Sequence, residues 1–325
     1  MVSFLVVVAL ILGSISISNG AAIRSNSGDV SIEVVVPRGL TRKAYFRSII
    51  DFWTPERMAS ARPVEPPTIV NHQTPFGDNR NGDENAIERI LTPSAPLLSK
   101  GVGDPNAAGK VFFAMNDLTY ICSGSVVNAE NRNTIVTAGH CMYNNTANQW
   151  ATNWIFVPNY SRDGRPFGSF AARELVTTEA WMAKVDYNND VAIALLEPNE
   201  EGKHVQDLTG AFGISLNAAK EDNTNVFGYP INSDKGETMD TCAAATSATS
   251  VLLGMIFNFK GIQITCGMNG GSSGGPWLRN YDSNTGSGQQ VSVTSFGSTL
   301  ASGKIQGPLF VEENIGQLFT KYQNK

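Results

Sequence analysis

The sequence predicts an all-β fold that follows an N-terminal segment of different composition. From Val111 onward, short runs rich in β-branched and aromatic residues recur, and clusters of Gly, Asn, Asp and Pro separate them. Closely spaced runs of this kind favour a sandwich or a barrel over alternating βαβ units. Residues 315–322 at the end of the chain predict a terminal helix.

The composition is that of a loop-rich globular protein. Of the 325 residues, 42% are hydrophobic, 16% are charged and 31 are glycines. This length suffices for about two domain-sized cores. The formal net charge is −5, and no basic stripe or dense cluster of Lys and Arg is present. We therefore expect no nucleic-acid partner.

The N-terminus predicts export from the cell. Nine apolar residues occupy positions 4–12, and the small residues Ser18 and Gly20 follow them. Nine apolar residues are too few to span a bilayer, but they fit the hydrophobic region of a secretory signal peptide. We expect residues 1–20 to be a signal peptide, so that the protein is secreted, extracellular and free of the membrane once the signal is removed.

Residues 21–100 predict a prosegment and linker ahead of a main domain at residues 101–325. The stretch has no cysteine, it contains clusters of prolines, and residues 77–85 are polar throughout and include two glycines. Within it, residues 42–53 predict a short amphipathic helix, because their large apolar side chains follow helical spacing. Thr54-Pro55 predicts the end of that helix.

Export from the cell affects what the cysteines predict. The chain has four of them: Cys122, Cys141, Cys242 and Cys266. An even number in an oxidising compartment predicts two disulfides, with three connectivities open. Zinc is the alternative, but the chain has no CxxC and its three histidines are scattered, so we expect no metal and no cofactor. Asn144 and Asn159 begin glycosylation sequons, which fit secretion.

Three strings of residues supply the three parts of a nucleophilic hydrolase. They are residues 137–141 with His140, residues 190–196 opening with Asp190, and the glycine-rich residues 270–276 with Ser273. A serine hydroxyl needs a base within hydrogen-bond reach, and that base needs a third group to hold its tautomer. Glycines permit a tight turn whose N–H groups can receive an oxyanion.

Other acidic residues compete for the third role. Asp186 and Asp282 are the alternatives, but only Asp190 directly precedes an apolar strand.

The three strings, in the order His, Asp, Ser, resemble the motifs of the chymotrypsin-like serine peptidases. Those motifs are TAGHC, an Asp before an apolar strand, and GxSGGP, and the resemblance extends over about residues 109–325. Within that superfamily the chain resembles the secreted branch that includes the glutamyl endopeptidases, most clearly at residues 109–113 and 268–277. Residues 53–58 resemble a motif in the propeptides of that branch.

The resemblance implies a fold of two antiparallel six-stranded barrels with a C-terminal helix, and an active site between the barrels. It implies that His140 is the general base, Asp190 its orienting partner and Ser273 the nucleophile. The N–H groups of Gly271 and Ser273 would then form the oxyanion hole. We predict the disulfides Cys122–Cys141, which would bracket His140, and Cys242–Cys266.

The chain departs from this family's pattern at two places. Ser272 stands where trypsin-type zymogens carry the Asp that pairs with a freed N-terminal amine, and a hydroxyl cannot serve as that counter-ion. Thr294 stands where glutamyl endopeptidases are expected to have a His. The predicted substrate pocket has no charged residue and is formed by Gly267, Met268, Ser295 and Gly297. We therefore expect a neutral preference at P1.

The sequence predicts a secreted serine endopeptidase, made as a precursor, that acts as a monomer on protein or peptide substrates. Cleavage of the precursor is expected between residues 81 and 103, where polar residues and prolines predict an accessible linker. Arg89 and Lys100 are candidate cleavage points. The alternative is a catalytically inactive secreted homologue that binds a partner.

Overall fold

The structure is a computed structural model, and it describes residues 15–18, 21–26, 28–64, 87–95, 105–297 and 303–325. Most of the predicted signal peptide lies outside these residues. So do the polar run at residues 77–85 and the candidate cleavage point Lys100.

Strands dominate the described part of the chain. They are β1 (Ile15–Ser18), β2 (Ala21–Asn26), β3 (Asp29–Val34), β4 (Arg62–Pro63), β5 (Arg89–Thr92), β6 (Ala108–Met115), β7 (Leu118–Val126), β8 (Thr134–Thr137), β9 (Tyr143–Asn144), β10 (Gln149–Trp150), β11 (Thr152–Pro158), β12 (Phe170–Thr178), β13 (Ala192–Leu196), β14 (Gly213–Leu216), β15 (Asn223–Gly228), β16 (Asp240–Ala248), β17 (Ile262–Thr265), β18 (Pro276–Asp282), β19 (Ser287–Val293), β20 (Phe296–Gly297) and β21 (Lys304–Gly307).

The helices are short by comparison. They are α1 (Arg42–Phe52), α2 (Pro55–Ser60), α3 (Glu179–Lys184), α4 (Val205–Thr209), α5 (Val251–Phe257) and α6 (Gln317–Tyr322). Within the described residues, no helix is long and apolar enough to cross a membrane.

Six strands close into an antiparallel barrel. Their hydrogen-bonded order is β12-β11-β6-β7-β8-β13, and β13 pairs back onto β12. The interior is apolar and fully buried, with Val111, Val136 and Ile193 among its members. β-branched and aromatic side chains suit these strands because they pack well on a pleated, buried surface.

The second half of the chain forms a nine-stranded sheet. Its order is β20-β21-β17-β16-β15-β18-β19-β14-β5, and the β14–β19 pair is parallel while the other pairs are antiparallel. Val226, Trp277 and Ile305 lie in its apolar core. The expected all-β class is confirmed, as are a closed six-stranded barrel and a C-terminal helix. The part of the chain where a second six-stranded barrel was expected forms this nine-stranded sheet.

The N-terminal segment packs on the outside of the barrel. The predicted helix is confirmed as α1, and its Phe46 and Ile49 are buried against the barrel together with Trp53. The Trp53 indole N–H donates to the carbonyl of Asn153 at 2.6 Å. Thr54 caps a second helix, α2, so a new helix begins at the place where the first was predicted to end.

Candidate active site

The fold brings the three sequence strings together. β8 pairs antiparallel with β13, with Thr137 opposite Ala192, so the residues after β8 and before β13 are neighbours. His140 lies in the short 3-10 turn that follows β8, and Asp190 lies just before β13. The turn that contains Ser273 packs on the same place, because the Sγ of Cys141 is 3.7 Å from the carbonyl oxygen of Ser273.

Asp190 holds His140 through two hydrogen bonds. Its Oδ2 lies 2.8 Å from His140 Nδ1, and its Oδ1 accepts the backbone N–H of His140 at 2.9 Å. Both side chains are buried, with 2% of His140 and none of Asp190 exposed. A proton on Nδ1 that faces a carboxylate leaves the lone pair of the imidazole on Nε2. Asp190 therefore holds the imidazole by Nδ1, and Nε2 is the ring nitrogen that is left for another partner.

The second ring nitrogen of His140, Nε2, has no hydrogen-bond partner among the described residues. His140 Nε2 is buried and makes no hydrogen bond with any described residue, Ser273 Oγ included. Ser273 itself is 7% exposed. Catalytic hydrogen bonds are often long in a free enzyme and shorten only when substrate binds. This geometry is therefore compatible with a hydrogen bond between Ser273 and His140 that forms when substrate binds.

Glycine is required at two positions of the serine turn. Gly274 has φ +80°, and a Cβ there would lie 2.0 Å from Thr137 Oγ1. Gly271 has φ +99°, and a Cβ there would lie 2.4 Å from the carbonyl oxygen of Tyr229. Only a residue without a Cβ tolerates such contacts together with positive φ. The turn can therefore pack tightly against both halves of the molecule.

The backbone of this turn leaves two donors free. The N–H groups of Gly271 and Ser273 make no hydrogen bond within the described part of the chain, whereas Gly274 N–H donates to the Thr294 carbonyl at 2.7 Å. Ser272, the residue next to the candidate nucleophile, donates its hydroxyl to the carbonyl of Asn269 at 2.7 Å. Two free N–H groups beside a serine are the donors that an oxyanion hole needs.

The side chain of Ser295, a predicted pocket residue, contacts the acid. Its hydroxyl is fully buried and donates to Asp190 Oδ2 at 2.5 Å. Nothing in the sequence around Ser295 indicates this contact, because it joins residues 105 positions apart.

Two of the other predicted pocket residues are glycines with open space beside them. A Cβ at Gly267 or at Gly297 would meet nothing within 4 Å, and Met268 is buried. Ile305 is a neighbour of these residues, because it faces Gly297 across the β20–β21 pair and shares an apolar cluster with Met268. Sequence reasoning missed Ile305, since only the strand register brings it to this place.

The alternative residues have local structural roles. Asp186 caps the turn Tyr187–Asn189 by accepting the N–H of Asn188, and Asp282 accepts the N–H of Asn284 in a turn. His204, another of the three histidines of the chain, has its Nδ1 against the amide of Asn133. In the part of the chain that the structure describes, these residues are not partners of His140 or Ser273.

Tyr187, near Asp190 of the candidate site, has a raised pKa. Burial raises the pKa of the Tyr187 hydroxyl well above its ordinary value, and the negative charge of Asp190 raises it further. Tyr187 therefore stays neutral next to the carboxylate over the whole physiological range.

Both predicted disulfides are confirmed. Cys122 pairs with Cys141, and Cys242 pairs with Cys266. The first joins β7 to the turn that carries His140, so a covalent bond fixes the position of the candidate base.

Comparison with known proteins assigns the family. Residues 122–285, half of the chain, match the family described as a trypsin-like peptidase domain. The chain belongs to the trypsin-like peptidase family.

Solved structures agree with this assignment. The crystal structure of a thermostable serine protease, AL20, from an extremophilic microorganism is 31% identical to this trypsin-like peptidase. The match covers 68% of this chain and 98% of that chain with a TM-score of 0.61. A Glu endopeptidase structure is 17% identical, covers 72% of this chain and 97% of that chain, and has a TM-score of 0.54. This chain and the Glu endopeptidase therefore share a fold.

A curated relative is longer than this trypsin-like peptidase. It is called "Extracellular metalloprotease", comes from Bacillus subtilis (strain 168), and is 27% identical over 191 residues. The match covers 57% of this chain and 54% of the relative, so the chain spans about half the length of that protein.

Proposed function

We propose that the protein is a secreted serine endopeptidase in which Ser273, His140 and Asp190 act as a catalytic triad. The observation that carries the proposal is the His140 imidazole. Asp190 holds it by Nδ1, and its Nε2 is buried without a partner beside a glycine turn that presents a serine. A buried, unpartnered nitrogen is costly unless it serves a purpose, and accepting a proton from Ser273 is that purpose.

The reaction follows from these positions. Ser273 Oγ attacks the carbonyl carbon of the scissile peptide bond while His140 Nε2 takes its proton. The resulting oxyanion receives hydrogen bonds from the free N–H groups of Gly271 and Ser273. His140 then gives the proton to the leaving amine, and a water molecule, deprotonated by the same nitrogen, hydrolyses the acyl-enzyme.

Asp190 stabilises the imidazolium that forms during both steps. It has no exposed surface, so its charge acts on His140 with little screening by water. The hydroxyl of Ser295 and the backbone N–H of His140 also donate hydrogen bonds to this carboxylate and hold it in place.

The name of the curated relative raises a metal-dependent mechanism, and the residues do not fit one. Among the described residues, the one group of three candidate metal ligands is Cys122, His140 and Cys141. The two sulfur atoms are bonded to each other, so neither is available as a thiolate ligand. His140 Nδ1 is occupied by Asp190.

Labelling with a fluorophosphonate tests the proposal, because such probes react only with an activated serine. We expect the wild-type protein to be labelled and Ser273→Ala to be unlabelled, with a loss of about 10⁶ in kcat. Ser272→Ala is the matched control. Its hydroxyl bonds only within the turn, so much of the activity should remain. Equal loss from both substitutions, or full activity of Ser273→Ala, would refute the assignment. An unlabelled wild-type protein would support the inactive-homologue alternative.

The N-terminal segment supports synthesis as an inactive precursor. β4 pairs with β7, with Arg62 opposite Tyr120 and Pro63 opposite Ile121. Pro63 also packs on the serine turn, because a Cβ at Gly270 would lie 2.8 Å from its Cβ. We propose that this short strand covers one side of the site in the precursor.

Removal of residues 21–100 should therefore accompany activation. A cut after Arg89 requires β5 to leave the sheet, because Arg89 pairs with Leu216 in that strand. N-terminal sequencing of the secreted, active protein locates the cut. A fully active form that begins before Trp53 would contradict the precursor proposal.

Secretion is supported by the two disulfides and by the extracellular relative. The sequon residues are accessible only in part. Asn144 accepts the N–H of Ala147, and Asn159 donates to Asn106. Treatment of the secreted protein with a glycosidase, followed by mass measurement, tests whether either carries a glycan.

A further inference from the structure

Lys110 is a buried cation that the proposed mechanism does not use. It lies in β6, in the wall of the barrel, and 1% of its surface is exposed. Its Nζ lies 3.1 Å from Glu237 Oε1 and 4.6 Å from the centroid of the Tyr160 ring. Burial lowers the pKa of Lys110, while the charge of Glu237 raises it. A buried ammonium is costly unless it is paired, so the Lys110–Glu237 pair is a specific feature of this fold.

Glu237 is at the far end of a loop that belongs to the other half of the molecule. Residues 229–237, here called the bridging loop, lie between β15 and β16 of the nine-stranded sheet. At its near end, Tyr229 N–H donates to Ser123 Oγ at 2.9 Å. Ser123 lies directly opposite Lys110 in the β6–β7 register. Two neighbouring side chains of the barrel therefore hold both ends of the bridging loop.

The middle of the bridging loop contacts the segment that precedes Ser273. Ile231 N–H donates to the Gly270 carbonyl at 2.9 Å, and the Asn232 side chain donates to the Gly267 carbonyl at 2.8 Å. Ser123 Oγ donates in turn to the Gly271 carbonyl at 2.9 Å. The position of Gly271 is thus set by the bridging loop and by the barrel strand beneath it.

Among the described residues, no charged side chain is hydrogen-bonded or ion-paired to residues 270–275. The hydroxyl of Ser272 donates to the Asn269 carbonyl. We infer that the Lys110–Glu237 ion pair positions the oxyanion-binding turn, by holding the bridging loop against residues 267–271. This inference rests on the proposed function. Neither side chain touches the reacting atoms, so both are positioning residues.

The test compares ion-pair variants with a matched control in the secreted enzyme. Lys110→Met keeps an unbranched chain without the charge, and Glu237→Gln keeps the size and the hydrogen bond from Tyr160. Arg279→Met is the control, because Arg279 is also a buried cation, 3% exposed, and pairs with Asp222 away from the serine turn. Each variant is assayed well below its own Tm for kcat, KM and the affinity of two inhibitors.

The inhibitors separate the oxyanion site from the pocket. Ser273 Oγ adds to the carbonyl carbon of a peptide aldehyde, the C=O double bond becomes a single bond, and the serine proton passes to His140 Nε2. The former carbonyl oxygen then lies in the oxyanion site. The matching peptide alcohol forms no such bond and reports on the pocket alone. We expect Lys110→Met and Glu237→Gln to lower kcat and aldehyde affinity by about tenfold to a hundredfold. The alcohol should bind within about threefold of wild type, and the double variant should resemble either single one.

The inference would be overturned if Glu237→Gln had the same kcat and the same aldehyde affinity as the wild type, whether or not Lys110→Met folds. Equal losses in Arg279→Met would also overturn it, because they would show a general effect of lowered stability. A wild-type enzyme that neither cleaves peptides nor reacts with a fluorophosphonate would instead overturn the proposed function. The two failures are therefore distinguishable.

Discussion

Ser295 donates its hydroxyl proton to Asp190 Oδ2 at 2.5 Å, and this hydrogen bond joins the nine-stranded sheet to the six-stranded barrel at the candidate active site. The same oxygen accepts the Nδ1 proton of His140 at 2.8 Å. Both donors are buried, so water does not compete for the carboxylate. The orientation of the imidazole therefore depends on contacts from both halves of the fold.

Asp190→Asn should lower kcat by about 10⁴ while the protein stays folded. An amide at this position can turn its NH₂ group toward His140 Nδ1, which then becomes the acceptor and moves the ring proton to Nε2. A protonated Nε2 cannot take the proton of Ser273. Peptide hydrolysis and far-UV circular dichroism measure the two effects. Ser295→Ala is the comparison. It should lower kcat far less, because the tautomer of His140 is kept. A fully active Asp190→Asn would contradict the triad.

Replacing Cys122 and Cys141 together by Ala should destabilise the protein by about 3 kcal/mol in the chain-entropy model. The two cysteines are 19 residues apart, and Cys242 and Cys266 are 24 apart, so the second pair should contribute a similar amount. Only the first replacement should also lower activity, because Cys141 follows His140 directly. Urea unfolding and peptide hydrolysis test this. Equal activity of the two double variants would contradict the local role of Cys122–Cys141.

The parts of the site that the sequence predicted are those encoded by neighbouring residues. His140 follows a strand within one string, and Ser273 lies in a run of glycines whose spacing itself predicts a tight turn. The α1 helix and the C-terminal helix were likewise visible as local patterns. Short-range sequence order is enough for such features.

The parts that were missed depend on contacts between distant strands. The buried Lys110 stands in an apolar strand, and its partner Glu237 comes 127 residues later. Ile305 reaches the pocket through the β20–β21 register, and Ser295 reaches Asp190 across the interface of the two halves. A single sequence carries no signal for such pairs, because register and packing decide them.

Alkaline pH should destabilise the protein, and Tyr187→Phe should reduce that effect. An unfolded tyrosine loses its proton near pH 10, whereas burial and Asp190 raise the pKa of Tyr187 in the folded state. Above about pH 10 the folded state therefore binds more protons than the unfolded state, so the free energy of unfolding falls as pH rises. Tyr322 acts in the same direction, because burial raises its pKa as well.

Urea unfolding between about pH 9 and pH 11 measures the slope of stability against pH. Tyr187→Phe and Tyr322→Phe should each make the fall shallower, and the double variant should combine the two changes. The lowered pKa of Lys110 acts in the opposite direction, but it is common to all variants and cancels in the comparison. Identical slopes in wild type and variants would contradict the prediction.

The residues predicted to form the substrate pocket carry no charged side chain, and this determines the expected preference at P1. A Cβ at Gly267 or Gly297 would meet open space, and Met268 and Ile305 lie in the neighbouring buried apolar cluster. The hydroxyl of Thr294 accepts the Trp277 indole N–H at 3.0 Å and does not face a charged group. A Lys, Arg or Glu side chain that entered this pocket would lose its water without gaining a counter-ion, which is strongly unfavourable.

We therefore expect cleavage after neutral, mostly apolar residues, which gain about 25 cal/mol per Å² of buried apolar area. Ile305→Ala should widen the pocket and shift the preference toward larger apolar side chains, because it removes a branched side chain opposite Gly297. Gly267→Asp should instead raise cleavage after Lys and Arg, since a Cβ is accommodated there without a clash and the carboxylate supplies the missing counter-ion. Profiling of wild type and both variants with a peptide library gives the three preferences side by side. A clear wild-type preference for Glu, Lys or Arg at P1 would show that another part of the chain supplies a charge to the pocket and that this assignment is wrong.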